Sequence, residues 1–319
     1  MRRIVSAGFT AAAIAVLAGC GAYGSSSLPD PGSDAAHNVS SDAETALPRR
    51  PGSVTIGSAA FPEAELLAHL YAGAMRARGV EVDVHANIGE RPAYMAALKD
   101  GSIGAVPEYG GSLLEYLAGE SDARTSQEVQ AELIEATRNQ SLRITDYAPA
   151  QDADTITVTK ETADKYRLKS IGDLKPVAGR LKLGAPAPLQ TVSSGVPALK
   201  RVYGVEFKQF VPLAPSGSIT QTALRNGTVD AADIFSTDPA ISRFGFVSLE
   251  DTEHIFAAQN VVPVFRQDVL TQPMADACDA VSARLDTSEL RALVARLADG
   301  DDPSTTASDW LSRKGLTKI

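Results

Sequence analysis

The sequence predicts an α/β protein organised as two lobes. Three observations point there. From Ser53 onward, short β-rich runs alternate with amphipathic helical stretches. About 267 residues follow the polar N-terminal segment, more than one hydrophobic core usually serves. One helix-turn-strand pattern also occurs twice. Such alternation favours layers in which helices cover largely parallel sheets.

Taken in order, 54–57 reads as a strand and 62–78 as a helix. Pro62 suits the first turn of that helix, and Glu63 and Glu65 suit its positive end. Residues 81–85 alternate like a strand, 92–99 have helical spacing, 103–106 form a short apolar strand, and 126–139 form a further helix. Later strands are predicted at 155–159, 182–185, 207–211, 231–235 and 261–265. Helices are predicted at 219–226, 274–285 and 288–297. Asp238 is placed to cap a helix opening at Pro239.

The repeated pattern is explicit in the residues. Positions 97–109 read Ala-Leu-Lys-Asp-Gly-Ser-Ile-Gly-Ala-Val-Pro-Glu-Tyr, and 223–235 read Ala-Leu-Arg-Asn-Gly-Thr-Val-Asp-Ala-Ala-Asp-Ile-Phe. Each is a helix end, a basic residue, a polar residue, a Gly suited to a left-handed cap, a strand and a terminal aromatic. Ligands of open α/β sheets bind outside the carboxyl ends of strands. Two lobes built alike would hold Tyr109 and Phe235 at equivalent strand ends, facing one cleft. The alternative is that helix-Gly-strand units recur in any α/β protein and each ring packs locally.

The first residues read as an export signal. Arg2 and Arg3 precede an almost uncharged run that ends Leu17-Ala-Gly-Cys20, so 1–19 is expected to be a signal peptide and Cys20 a lipidation site. Its apolar run is too short for a spanning helix. Residues 20–52, rich in Ser, Pro and Gly, then serve as a disordered tether from the membrane. With Cys20 lipidated, Cys278 has no disulfide partner, and its apolar-periodic setting predicts a buried, inert thiol.

Charge and motifs narrow the function. The formal net charge is −9, and loss of Arg2 and Arg3 with the leader makes the remainder more acidic. With no basic run longer than a pair, nucleic acid is not expected as a partner. The four histidines, His37, His69, His85 and His254, have no metal-ligand spacing, so no metal is expected. There is no G-x-S-x-G elbow, P-loop or dinucleotide fingerprint, and neither a catalytic residue nor a cofactor is expected. Ser193-Ser-Gly195 reads as the opening of a helix, and Asp299-Gly-Asp-Asp302 as a solvated turn rather than a calcium loop.

Several segments recur in a familiar order: Ile56-Gly-Ser-Ala-Ala-Phe-Pro-Glu63, Pro107-Glu-Tyr-Gly-Gly111, Lys160-Glu-Thr-Ala-Asp-Lys-Tyr166, Ser170-Ile-Gly-Asp-Leu174 and Ser236-Thr-Asp238. With them, residues 53–319 resemble the osmoprotectant-binding proteins of glycine betaine, carnitine and choline ABC importers. Phe256-Ala-Ala-Gln-Asn-Val-Val-Pro263 is similar to the actinobacterial branch. The resemblance implies a two-lobed type II periplasmic-binding-protein fold with two hinge crossings, near 154–157 and 257–261. Lobe one would be 53–154 plus 259–319, and lobe two 155–258. It also implies a monomeric, lipid-anchored receptor on the outer face of the cell membrane, serving an ABC permease and ATPase.

The family encloses a trimethylammonium group in aromatic faces, because such a cation cannot donate hydrogen bonds. Tyr109 matches a cage tyrosine and Phe235 keeps an aromatic face. Asp154, Gln221 and Gln259 stand where further tyrosines are usual. Asp154 suits a cationic amine, whereas Gln221 and Gln259 suit a hydroxylated or amide-bearing ligand. Phe61, Ser58 and Arg91 follow early strands and are candidates for the rim or for a ligand carboxylate. The alternatives are a core contact for Phe61 and a solvated arginine for Arg91. A ligand-sensing lipoprotein without transport is the rival function.

Overall fold

The computed structural model describes residues 46–50 and 52–317. The expected signal peptide, the expected lipidation site Cys20 and most of the expected tether lie outside these residues. Among the described residues there are ten strands and eleven α-helices, mostly in alternation.

The first part of the chain gives β1 (Ser53–Ala59), α1 (Pro62–Ala77), β2 (Glu81–Gly89), α2 (Arg91–Asp100), β3 (Ala105–Tyr109), α3 (Gly110–Ala118), α4 (Ser126–Arg138) and β4 (Leu142–Ile144). Helix α1 starts as its sequence dictates, with Pro62 in the first turn beside Glu63 and Glu65. Thr125 and Glu128 close α4 with a reciprocal capping box. The middle part gives β5 (Ile156–Val158), α5 (Lys160–Tyr166), β6 (Lys182–Ala185), α6 (Val196–Ala198) running on through a wider turn, β7 (Gln209–Pro212), α7 (Gly217–Arg225), β8 (Ala231–Asp233), α8 (Ala240–Phe244) and β9 (Val247–Ser248). The chain ends with β10 (Val261–Arg266), α9 (Gln272–Ser282), α10 (Thr287–Ala298) and α11 (Pro303–Arg313).

Two five-stranded sheets result, in the orders β2-β1-β3-β10-β4 and β7-β6-β8-β5-β9. In the first, β1 pairs parallel with β2 and β3, while β10 runs antiparallel to β3 and β4. The second repeats this, with β6 parallel to β7 and β8, and β5 antiparallel to β8 and β9. The expectation of largely parallel sheets is therefore corrected: half of the pairings in each sheet are antiparallel. The reason lies in the chain path, since β5 and β10 each enter from the opposite sheet and run against the strand they join.

The core divides along the same lines. One face of the first sheet packs Leu66, Leu70, Tyr71 and Met75 of α1 against Cys278, Leu293 and Trp310 of the C-terminal helices. Its other face packs Met95, Leu98, Leu113 and Leu133 of α2–α4. The second sheet is covered by a larger cluster around Ile156, Leu183 and Leu199 and a smaller one around Leu224, Val229 and Ile241. Burying a large aliphatic side chain contributes roughly 1.5–3 kcal/mol, so each sheet has its own source of stability. Cys278 is fully buried. Among the described residues no helix is long and apolar enough to cross a membrane.

The sequence placed most of these elements within a few residues. It passed over α3, α5, α11 and the short edge strands β4 and β9; α11 is hidden behind 299–302. That turn ends in a cap, with Asp302 accepting from the Thr305 amide, and its acids pair with Arg296 and Arg243.

Candidate ligand cleft between the sheets

The sequence repeat is a structural one. Residues 97–105 join α2 to β3, and 223–231 join α7 to β8. Gly101 and Gly227 both take the left-handed conformation, with φ of 87° and 77°. In both copies the turn is closed by the same bond, Ile103 N to Ala97 O and Val229 N to Ala223 O, each 3.1 Å. Ala105 pairs with Ile56 and Phe265, and its counterpart Ala231 pairs with Leu183 and Val158. The bond from Gly110 N to Asn260 O recurs as Ser236 N to Ala153 O. Tyr109 and Phe235 thus stand at equivalent strand ends, each beside a segment crossing between sheets.

Those crossings run 145–155 and 249–260. They pair with each other through an antiparallel bridge, Gln151 with Asn260. The loop after β8 locks onto the first crossing. Ser236 Oγ donates to the Gln151 carbonyl at 2.7 Å and accepts from Ala153 N, while Arg291 of α10 donates to the Ser236 carbonyl at 2.6 and 2.8 Å.

Around this junction sits a buried polar chain. The Tyr109 hydroxyl donates to Glu63 Oε1 at 2.6 Å, and Thr237 Oγ1 donates to Asp152 Oδ1 at 2.6 Å. Burial, and then the charge of Asp152, push the Glu63 carboxyl up to about 8; the Tyr109 and Thr237 hydroxyls work the other way. Burial likewise lifts Asp152 to about 6. The chain ties α1 to the loop after β8, and so one sheet to the other. Phe61, 40% exposed, stacks on Tyr109 with ring centroids 6.4 Å apart and 20° between planes.

The other sequence candidates fall into different roles. Ser58 is fully buried, donating to the Ala59 carbonyl and accepting from Asn87 N, so it fixes β1 against β2 rather than forming a rim. Arg91 is neither a solvated arginine nor free for a ligand carboxylate. Its guanidinium grips the buried Glu108 through two bonds, 2.8 and 3.0 Å. Gln221 directs its amide to both oxygens of Asp238, which also accepts from Ala240 N. Gln259 Oε1 accepts from Ser112 N at the start of α3. Phe235 is half-buried, and its amide donates to Ser216 Oγ at 2.7 Å. Tyr109 finds its ring partner in Phe61, a pairing that separation in sequence conceals.

Asp154 lines a cavity of about 380 Å³ set against both crossings, together with Arg124, Gln151, Ser236, Phe256 and Thr287. Phe61, Tyr109, Phe235 and Gln259 do not line it. Behind Asp154 lies Asp233, fully buried, with neither oxygen taking an ordinary hydrogen bond from a donor among the described residues. Burial and the facing Asp154 push Asp233 up to about 8, the nearby Thr155 amide opposing; burial raises Asp154 as well. Two carboxyls so placed do not readily carry charge at the same time. Glu63, Asp152, Asp233 and Arg124 were not anticipated as site residues. The Asp-Ala-Asp alternation at 152–154 is the one sequence signal that could have found part of this group.

Comparison with known proteins agrees with this architecture. The model of the family described as the substrate binding domain of ABC-type glycine betaine transport system matches residues 52–313. The glycine betaine-binding protein YehZ of Escherichia coli is 29% identical over 292 residues, covering 86% of this chain and 95% of that protein. A glycine-betaine-binding protein of Pseudomonas aeruginosa is 25% identical over 276 residues, 82% and 88% of the two chains. Among solved structures, a glycine betaine/carnitine/choline ABC transporter protein superposes with a TM-score of 0.77 at 20% identity, covering 83% of this chain and all of that one. That likeness establishes the type II periplasmic-binding-protein fold.

Proposed function

This chain belongs to the substrate-binding-domain family of ABC-type glycine betaine transport systems, and from that premise we propose that it captures a small osmoprotectant-type solute between its lobes for a membrane permease and its ATPase. The observation that carries the reading is the Phe61–Tyr109 stack, with its hydroxyl seated on a buried acid. An aromatic face is the physical means of holding a quaternary ammonium, worth roughly 0.5–2 kcal/mol per contact. Phe61 offers such a face to solvent, and the Glu63 carboxyl behind Tyr109 fixes its ring by accepting from its hydroxyl. Phe235 approaches from the equivalent strand end of the second lobe. The paired crossings serve as the hinge, with lobe one at 53–154 plus 259–319 and lobe two at 155–258. A solute touching both lobes favours the closed arrangement. Lipid on Cys20 and a tether through residue 52 keep the receptor at the outer face of the membrane.

The test is thermal unfolding of the chain from Gly21 onward with glycine betaine, choline or carnitine. A ligand at a hundred times its dissociation constant adds about 2.7 kcal/mol, which for a protein of this size raises the midpoint by roughly 5–10 °C. Tyr109→Ala and Phe61→Ala should each abolish the shift. If none of the three solutes moves the midpoint, the proposed ligand class fails.

A further inference from the structure

The cavity beside the crossings has chemistry of its own. It is built chiefly from the loop and helix start at α4 and from the crossings that follow β4 and β9, with Ser236 added from the loop after β8, whereas Phe61, Tyr109 and Phe235 stand at the ends of β1, β3 and β8. Two poles of opposite charge line it. At one, Asp154 faces the cavity, backed by the buried Asp233, and no cationic side chain pairs with either carboxyl among the described residues. At the other, Arg124 enters no ion pair among the described residues; one nitrogen of its guanidinium donates to the carbonyls of Ser121 and Ala123, leaving its other donors free. Beside it the first turn of α4 opens on the cavity with Ser126 and Gln127. Their amides precede any intrahelical acceptor, and the capping box engages the amides of Thr125 and Glu128 rather than theirs.

The remaining ionisable lining is Asp251 and His254. Asp251 is occupied, accepting from the Tyr203 hydroxyl and from the amides of Ile255 and Phe256. His254 is exposed at the margin. A lone cation would leave the Arg124 pole without a partner, and a lone anion would leave the Asp154–Asp233 pole bare. A small solute carrying both charges answers both at once, and about 380 Å³ is ample for it. The carboxyl pole wants hydrogen-bond donors, which a protonated primary or secondary amine has and a quaternary ammonium lacks.

We infer that this cavity is a second binding site, for a free α-amino acid, whose ammonium meets Asp154 and whose carboxylate meets Arg124 and the start of α4. It is distinct from the aromatic cleft in position and in the amine it prefers.

Isothermal titration calorimetry tests it on the chain from Gly21 onward, with neutral L-amino acids titrated one at a time. The amino alcohol and the N-acetyl derivative of each serve as controls bearing one charge. The expected result is 1:1 binding of at least one amino acid, with both of its controls at least about tenfold weaker. Arg124→Gln and Asp154→Asn should each weaken that binding by about tenfold or more, and Tyr109→Ala should leave it unchanged. Circular dichroism checks that each variant folds. Absence of binding by every amino acid, or binding indifferent to both Arg124→Gln and Asp154→Asn, overturns the inference. Glycine betaine binding abolished by Tyr109→Ala but kept in Arg124→Gln would leave the proposed solute cleft standing in that event. If glycine betaine too requires Arg124 and ignores Tyr109, the cleft assignment and the second site fall together.

Discussion

Replacing Arg91 separates a structural role from a ligand contact. Glu108 is nearly sealed, its side chain 1% exposed, and four donors converge on it. Two come from the Arg91 guanidinium, one from the Tyr94 hydroxyl at 2.7 Å and one from the amide of Tyr109 at 3.1 Å. Arg91→Ala leaves the carboxylate with two neutral donors and no counter-charge. Breaking a buried pair in this way costs about 3–5 kcal/mol. Because the Arg91 side chain is 26% exposed and water can reach its place, the lower end applies, about 3 kcal/mol. For a chain of this size that is a fall of roughly 6–12 °C in the unfolding midpoint. Glu108 directly precedes Tyr109, so solute affinity should drop in step as the strand end shifts. Adding Glu108→Gln removes the stranded charge and should restore about 1–2 kcal/mol. Urea unfolding of the three proteins, read with solute titrations, measures both effects. If Arg91→Ala unfolds within about 0.5 kcal/mol of the parent and still loses solute, the guanidinium faces the ligand and the positioning argument is wrong.

Three further outcomes are expected. In the folded chain Glu63 keeps its proton up to about 8, against an ordinary 4.5. Between those values the folded state therefore binds more protons than the unfolded state. The Glu63 contribution is full below 4.5 and is lost as pH rises toward 8. Glu63→Gln should flatten that fall in urea midpoints measured at about pH 5 and about pH 8, and a profile parallel to the parent's would contradict the assignment. The Cys278 thiol, fully buried and pushed up by that burial, should resist a disulfide reagent in the native protein and react promptly in urea; native-state labelling at the unfolded rate would refute its burial. Gly227→Ala meets open space and should cost only the left-handed strain, about 1 kcal/mol. Gly101→Ala should cost about the same, because its Cβ meets only the flexible guanidinium end of Arg266, which can swing aside; a clearly lower midpoint than that of Gly227→Ala would show that end to be fixed.

The legible parts of the fold were those whose cause is local. Pro62 with two acids announces α1, and the alternation at 81–85 announces β2. The repeat at 97–109 and 223–235 gave the two-lobe reading because its Gly caps, strand and terminal ring are all set by neighbours in sequence. The illegible parts depend on distant partners. Arg91 reads as a surface arginine until β3 brings Glu108 beneath it, and Ser58 reads as a loop residue until Asn87 closes over it. Glu63 fits the first turn of a helix so well that nothing in the sequence hints at its second task under Tyr109. Antiparallel β5 and β10 were missed for the same reason, since strand direction follows from where the chain last crossed.

The repeat also shows which residues the fold does not require. Counting from the paired alanines, Asp233 occupies the position of Pro107, and Asp154 that of Val261. In the first copy both places are apolar and the sheet closes well. In the second they carry two facing carboxyls, one of them wholly buried without an ordinary donor. Burying unpaired carboxyls opposes folding, and the first copy demonstrates that the architecture works without them. Glu108 makes the converse case: its counterpart is the buried Ile234, yet the acid is fully matched by Arg91, Tyr94 and a backbone amide. An unmatched departure from a repeat, placed on a cavity at the hinge, therefore points to something outside the chain that completes it, whereas a matched one completes itself.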